Sequence, residues 1–115
     1  MKFEIPVKEN EKLEEVIDRL ENKGKVEGFL ESANVNAVDR LKYSDHGPVH
    51  AKIVAHAALR MLRLFVSQDM TPTVVEDHEM TEEDAEVIVA LSSILHDIGM
   101  AVNREGHDKI GISLA

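Results

Sequence analysis

The sequence holds 115 residues, a length that suits one domain with one modest hydrophobic core. Its 22 acidic against 13 basic residues give a formal charge of −9, and with three Phe, one Tyr and no Trp it supplies neither a basic track nor stacking platforms, so duplex nucleic acid is not an expected partner. Cysteine is absent, which excludes disulfides and thiolate metal sites and leaves His and carboxylates as the only strong ligands for a transition metal.

In chain order, Met1-Lys2-Phe3-Glu4-Ile5-Pro6 lacks the apolar stretch of a signal peptide, and no run approaches a bilayer-spanning length, so a cytoplasmic protein without membrane association is expected. Residues 9–22 place Leu13, Val16, Ile17 and Leu20 on one stripe among charges, an amphipathic helix stopped by Lys23-Gly24. Residues 25–41 predict a second helix through Val26, Phe29, Leu30, Val38 and Leu41, with Asn34 and Asn36 weakening its middle. Pro48 suits a first helical position. From it Ile53, Val54, Ala57, Met61, Leu62 and Phe65 predict a long core helix to about residue 67, ended before Thr71-Pro72. The methionines are expected in the core as well.

Glu76 to Met80 reads as a polar loop. Thr81 and Asp84 then resemble a capping box, opening a very apolar helix that includes Val87 to Leu91, Ile94, Leu95 and Ile98, with Gly99 as its C-terminal cap and His96-Asp97 in its last turn. After the loop Asn103 to Gly106, the residues Ile110, Ile112 and Leu114 fit a strand as well as a helix, and the helical character of the rest favours a helix. No period-two alternation stands out elsewhere. The prediction is an all-α fold in one domain spanning 1–115.

The informative residues are polar ones inside apolar runs. Asp97, between Ile94-Leu95 and Ile98, is costly to bury as a charge unless a cation or metal is close, and a helix C-terminus attracts one. The bland alternative is a His96-Asp97 pair that only ties helices together. His46 and His50 lie four apart, but Gly47-Pro48 interrupts the helix, so His50 belongs to the helix start and His46 to the loop before it. A helix N-terminus keeps His50 neutral, as a ligand must be, and welcomes an anion such as phosphate.

HGPVHAKIV followed by SSILHDIGM resembles the HD superfamily of metal-dependent phosphohydrolases in its HDIG variant, over roughly residues 40–115. The resemblance implies an HD-domain-like helical bundle in which His50, His96 and Asp97 bind a divalent metal. HGPVHAKIV is also similar to the HNxxHA signature of cyclic-nucleotide phosphodiesterases, which implies that His46 is the general acid for the leaving group. Some members hold two metals through a further His after the doublet, a place His107 occupies here; a surface His at a helix start is the alternative for it. His56 and His78 are expected to be structural or solvated. Of the cations that could touch a phosphate, Lys52 and Arg104, the latter is the better placed in the loop after the doublet, though a lone Arg there is more often solvated.

The implied chemistry is hydrolysis of a phosphoester or nucleotide, with a metal-activated water as nucleophile and His46 protonating the leaving oxygen. Nitrogen and oxygen ligands are compatible with manganese, iron, nickel, cobalt or zinc, and less naturally with magnesium. The sequence departs from the family at the final Asp ligand: after Asp97 the only acidic residues are Glu105 and Asp108. A domain incomplete at its C-terminus is therefore expected, its exposed apolar surface favouring a homo-oligomer. The same departure supports a second reading, a non-catalytic metal- or nucleotide-binding module. A structural interaction domain and an oxygenating di-iron site are further alternatives.

Overall fold

The computed structural model describes residues 2–115. Helices make up 71% of the structure, and there is no strand among the described residues. An extended N-terminal stretch buries Phe3 and Ile5, and the Phe3 amide donates to Glu21 Oε1 at 2.9 Å. Asn10 opens α1 (Glu11–Lys23), its Oδ1 accepting from the Leu13 amide at 3.0 Å and so satisfying a donor that the helix start leaves unpaired. Gly24, at φ 66°, ends α1 in the left-handed region that only glycine enters without strain, and α2 (Lys25–Asn34) follows at once.

The expected helix to Leu41 changes pitch after Asn34, because Val35–Arg40 form a π-helical segment. Both asparagine side chains there bond outside their own helix. Asn34 Oδ1 accepts from the His46 amide at 3.0 Å, and Asn36 Nδ2 donates to the carbonyls of Met100 and Ala101 at 2.7 and 3.1 Å. Widened turns of this kind recur at functional sites.

Pro48 takes the first position of α3 (Pro48–Ser67) after Gly47, as its fixed φ predicts. The buried face is a correction to the expected one. Ala51, Ala55 and Leu59 are buried, whereas Ile53, Met61 and Phe65 are exposed. Small side chains let α3 lie close against α5 (Glu82–Leu95), which meets it with Ala90 and Ile94, so close approach of backbones decides the buried side rather than side-chain bulk. The methionines divide likewise: Met100 is buried, while Met61, Met70 and Met80 are exposed.

The polar loop expected at Glu76 to Met80 is in part a short helix, α4 (Thr73–His78). Pro72 precedes it with its carbonyl accepting from the Val75 and Glu76 amides, and Glu79 ends it at φ 54°. The capping box is present as read: Thr81 Oγ1 accepts from the Asp84 amide at 3.1 Å, and Asp84 Oδ2 from the Thr81 amide at 3.0 Å. Its helix stops earlier than expected. Leu95 is the last residue of α5, His96 caps it, and Asp97 leaves helical geometry at φ −109° and ψ 6° before a 3₁₀ turn, Ile98–Ala101.

Gly99 is therefore not the helix cap. It is buried in the 3₁₀ turn, where a Cβ would fall 1.9 Å from the His107 carbonyl oxygen, so only glycine lets α6 (His107–Leu114) lie on the turn. One core joins Phe3 and Ile5 to Leu13, Ile17, Leu30, Leu59, Ile94 and Ile98. Each such side chain stabilises by about 1.5–3 kcal/mol on burial. A polar tie crosses the far end of the bundle. Arg63 donates from Nε and Nη2 to the two Glu86 carboxylate oxygens at 2.9 and 3.0 Å, and Asn10 Nδ2 donates to Glu86 and to the Glu83 carbonyl. Among the described residues no helix is long and apolar enough to cross a membrane.

Candidate metal centre

Four elements end at one place: the loop before α3, the start of α3, the end of α5 and the start of α6. They bring His46, His50, His96, Asp97 and His107 together. Asp97 lies at the centre, 7% exposed, because it follows the apolar last turn of α5 into the buried 3₁₀ turn. His96 Nε2 lies 2.8 Å and His50 Nε2 3.3 Å from Asp97 Oδ2, while His107 Nε2 lies 3.3 Å from Oδ1. The His50 ring sits between those of His46 and His96, at centroid distances of 5.3 and 5.4 Å.

The other nitrogen of three of these rings faces a backbone carbonyl. His46 Nδ1 is 2.6 Å from the Ser44 oxygen, His96 Nδ1 2.7 Å from that of Ser93, and His107 Nδ1 2.9 Å from that of Arg104. A carbonyl only accepts, so each Nδ1 carries a hydrogen, an assignment that follows from the partner, and the neutral ring offers Nε2 as a lone pair. This is how metal-ligating histidines are commonly oriented. The 2.8 Å contact between His96 Nε2 and a carboxylate oxygen then sets two lone pairs against each other. It needs a shared cation, which is either a metal ion or a proton.

The donor set tests which cation fits. Ligand atoms of His50, His96 and Asp97 all lie within 4.8 Å of one another. An ion about 2.1 Å from each donor spans at most about 4.2 Å between donors, so shifts of about half an ångström close the group on a metal. Two imidazoles and a carboxylate suit the borderline divalent metals. The field agrees with a cation, since the carbonyls at the end of α5 carry partial negative charge and no basic side chain occupies its last turn.

The remaining candidates divide. Arg104 stacks on Tyr43, its guanidinium carbon 4.5 Å from the ring centroid, at the rim formed by the loops before α3 and α6. Lys52 leans toward Glu4 at 3.6 Å, on the side of the N-terminal stretch. His56 borders a groove on the outer side of α3, and His78 is exposed at the end of α4. Asp108 shares with His96 a depression of about 320 Å³ between α5 and α6.

Three further residues position the site. Asn34 holds the His46 loop, where Gly47 packs so closely that a Cβ would come within 2.7 Å of the Asn34 Cβ. Asn36 holds the turn after Asp97, and Gly99 admits α6 with His107. Their signal in the sequence was two asparagines inside a helical run and a glycine beside the doublet.

No family model matches the chain, and no solved structure does. A protein of Methanocaldococcus jannaschii, described as uncharacterized, is 44% identical to it over 92 residues, which are 80% of this chain and 36% of that relative. The chain thus spans about a third of the length of the relative it matches.

Proposed function

We propose that the chain is the metal-binding core of an HD-type, metal-dependent phosphohydrolase acting on a phosphoester or nucleotide. The observation that carries this reading is the meeting of His50, His96 and His107 through Nε2 on the one buried carboxylate of Asp97. When bound there, a divalent ion would supply polarisation of a phosphoryl oxygen and acidification of a water molecule. The chain's own residues do the rest. His50, His96 and Asp97 would hold the ion, and His107 lies against the second carboxylate oxygen of Asp97.

His46 stands beside the ligands rather than among them, fixed through Nδ1 by the Ser44 carbonyl. In its protonated form it keeps that bond and presents Nε2–H to the leaving oxygen, which departs as the hydroxyl while the ring becomes neutral. Arg104, held over the Tyr43 ring, offers its guanidinium to the phosphate. The test is to measure bound metal in the purified protein and then assay nucleotides and nitrophenyl phosphoesters with manganese, iron, nickel, cobalt, zinc and magnesium, against a chelated control. Metal-dependent release of phosphate or nucleotide is expected. Stoichiometric metal with no turnover on any substrate overturns the catalytic part.

One observation favours a second reading, a metal-binding module without turnover. Among the described residues the candidate ligand group contains a single carboxylate, Asp97. The same assay separates the two.

A further inference from the structure

The helix α3 buries its alanines and turns bulky side chains to water. Ile53, Ala57, Met61 and Leu64 share the middle of its outer face, with exposed Val49 and Phe65 at its two edges, and Ile53 is 63% and Leu64 65% exposed. From Ile53 to Leu64 this face runs about 16 Å at the helical rise. Single exposed apolar side chains are ordinary, but a contiguous stripe of this length marks an interaction surface. Two grooves, of about 600 and 470 Å³, lie along it and share His56, Arg60 and Leu64.

Charge is segregated in the same way. All 22 acidic residues lie outside α3, which carries Lys52, Arg60 and Arg63 together with two histidines. Arg63 is committed to Glu86 and Lys52 leans on Glu4, but Arg60 has no ion-pair partner among the described residues. An apolar stripe edged with cations, on a chain otherwise acidic, is complementary to a particular shape and charge.

We infer that this face docks an acidic amphipathic α-helix of a partner protein. Its apolar side chains at i, i+3, i+4 and i+7 lie on Ile53, Ala57, Met61 and Leu64, and its carboxylates meet Arg60, His56 and Lys52. A second α3 is a poorer occupant because it brings the Lys52 and Arg60 cations of one copy against those of the other. A bilayer is poorer too, since a flat surface cannot follow the grooves beside the stripe as a single helix can.

The experiment measures fluorescence anisotropy of two synthetic helical peptides of about 20 residues, with Leu on one face and either Glu or Lys on the other. The Glu peptide is expected to bind the whole chain at least about tenfold more tightly than the Lys peptide. Met61→Glu and Leu64→Glu, at exposed positions that leave circular dichroism unchanged, should abolish that binding, and Arg60→Glu should lower it by about tenfold while admitting the Lys peptide. Equal binding of both peptides, binding of neither, or binding indifferent to Met61→Glu overturns the proposal. So does sedimentation showing a dimer of the chain that Met61→Glu dissolves, or co-sedimentation with phosphatidylglycerol vesicles in place of peptide binding.

Discussion

Asp97 and His107 meet through Oδ1 at 3.3 Å, the carboxylate oxygen opposite the one that His50 and His96 approach. One side chain thus serves both edges of the cluster, and its loss should be felt by all three imidazoles. Asp97→Asn is expected to leave the helical circular dichroism intact while lowering bound metal by about tenfold or more, because the neutral amide is a poor ligand. Metal stoichiometry equal to that of the unaltered chain would remove Asp97 from the centre.

His46 is predicted to behave differently from its neighbours. Since its ring lies beside the ligand group, His46→Ala should retain metal but slow turnover of substrates with poor leaving groups by about 10²–10⁴-fold. Nitrophenyl esters, whose leaving groups need little protonation, should lose far less. An equal loss for both classes would argue against the general acid.

Gly99→Ala should be costly in proportion to the contact it forces. Its Cβ would sit 1.9 Å from the His107 carbonyl oxygen and 2.7 Å from the Gly111 amide, both backbone atoms of α6. A loss of about 3 kcal/mol is expected in urea unfolding, with weakened metal retention as His107 is pushed away. Gly28→Ala is the control: nothing lies within 4 Å of its new Cβ inside α2, so it should gain about 0.5–1 kcal/mol.

Acid should weaken the fold through Glu86. Burial pushes its carboxyl up, but hydrogen bonds from Arg63 and Asn10 outweigh that and hold it below the usual 4.5, while the same Glu86 contact raises Arg63. A depressed carboxyl stabilises fully above the unfolded value and loses that stabilisation as pH falls through the folded one. Stability measured from pH 7 down to pH 3 should thus begin to fall near pH 4.5. Glu86→Gln should flatten part of this slope, leaving the part due to Asp84, which the Thr81 backbone hydrogen bond holds low. An unchanged slope would count against the Glu86 tie.

Elements whose signals are local were legible in the sequence. Gly24 as a helix stop, Pro48 as a helix start and the Thr81-Asp84 box all appear in the structure as their side-chain chemistry dictates. The buried side of α3 was not legible, because periodicity shows that a face is apolar but not which of two apolar faces meets a neighbour. Ala51 and Ala55 are inside for the reason they look unremarkable in a sequence: they are small. The end of α5 was misplaced by a local rule as well. Gly99 looks like a cap, yet its place is set by α6, which arrives from eight residues further on.

The rings of His46, His96 and His107 are posed by carbonyls two or three residues upstream, at Ser44, Ser93 and Arg104. Every residue type carries that oxygen. Replacing any of these three side chains therefore leaves the tautomer untouched, and the shell that aims the imidazoles is mutationally silent. Sequence drift can move through positions 44, 93 and 104 at no cost to the aim of the rings, whereas a backbone kink at any of them would turn a ring away with every ligand still in place.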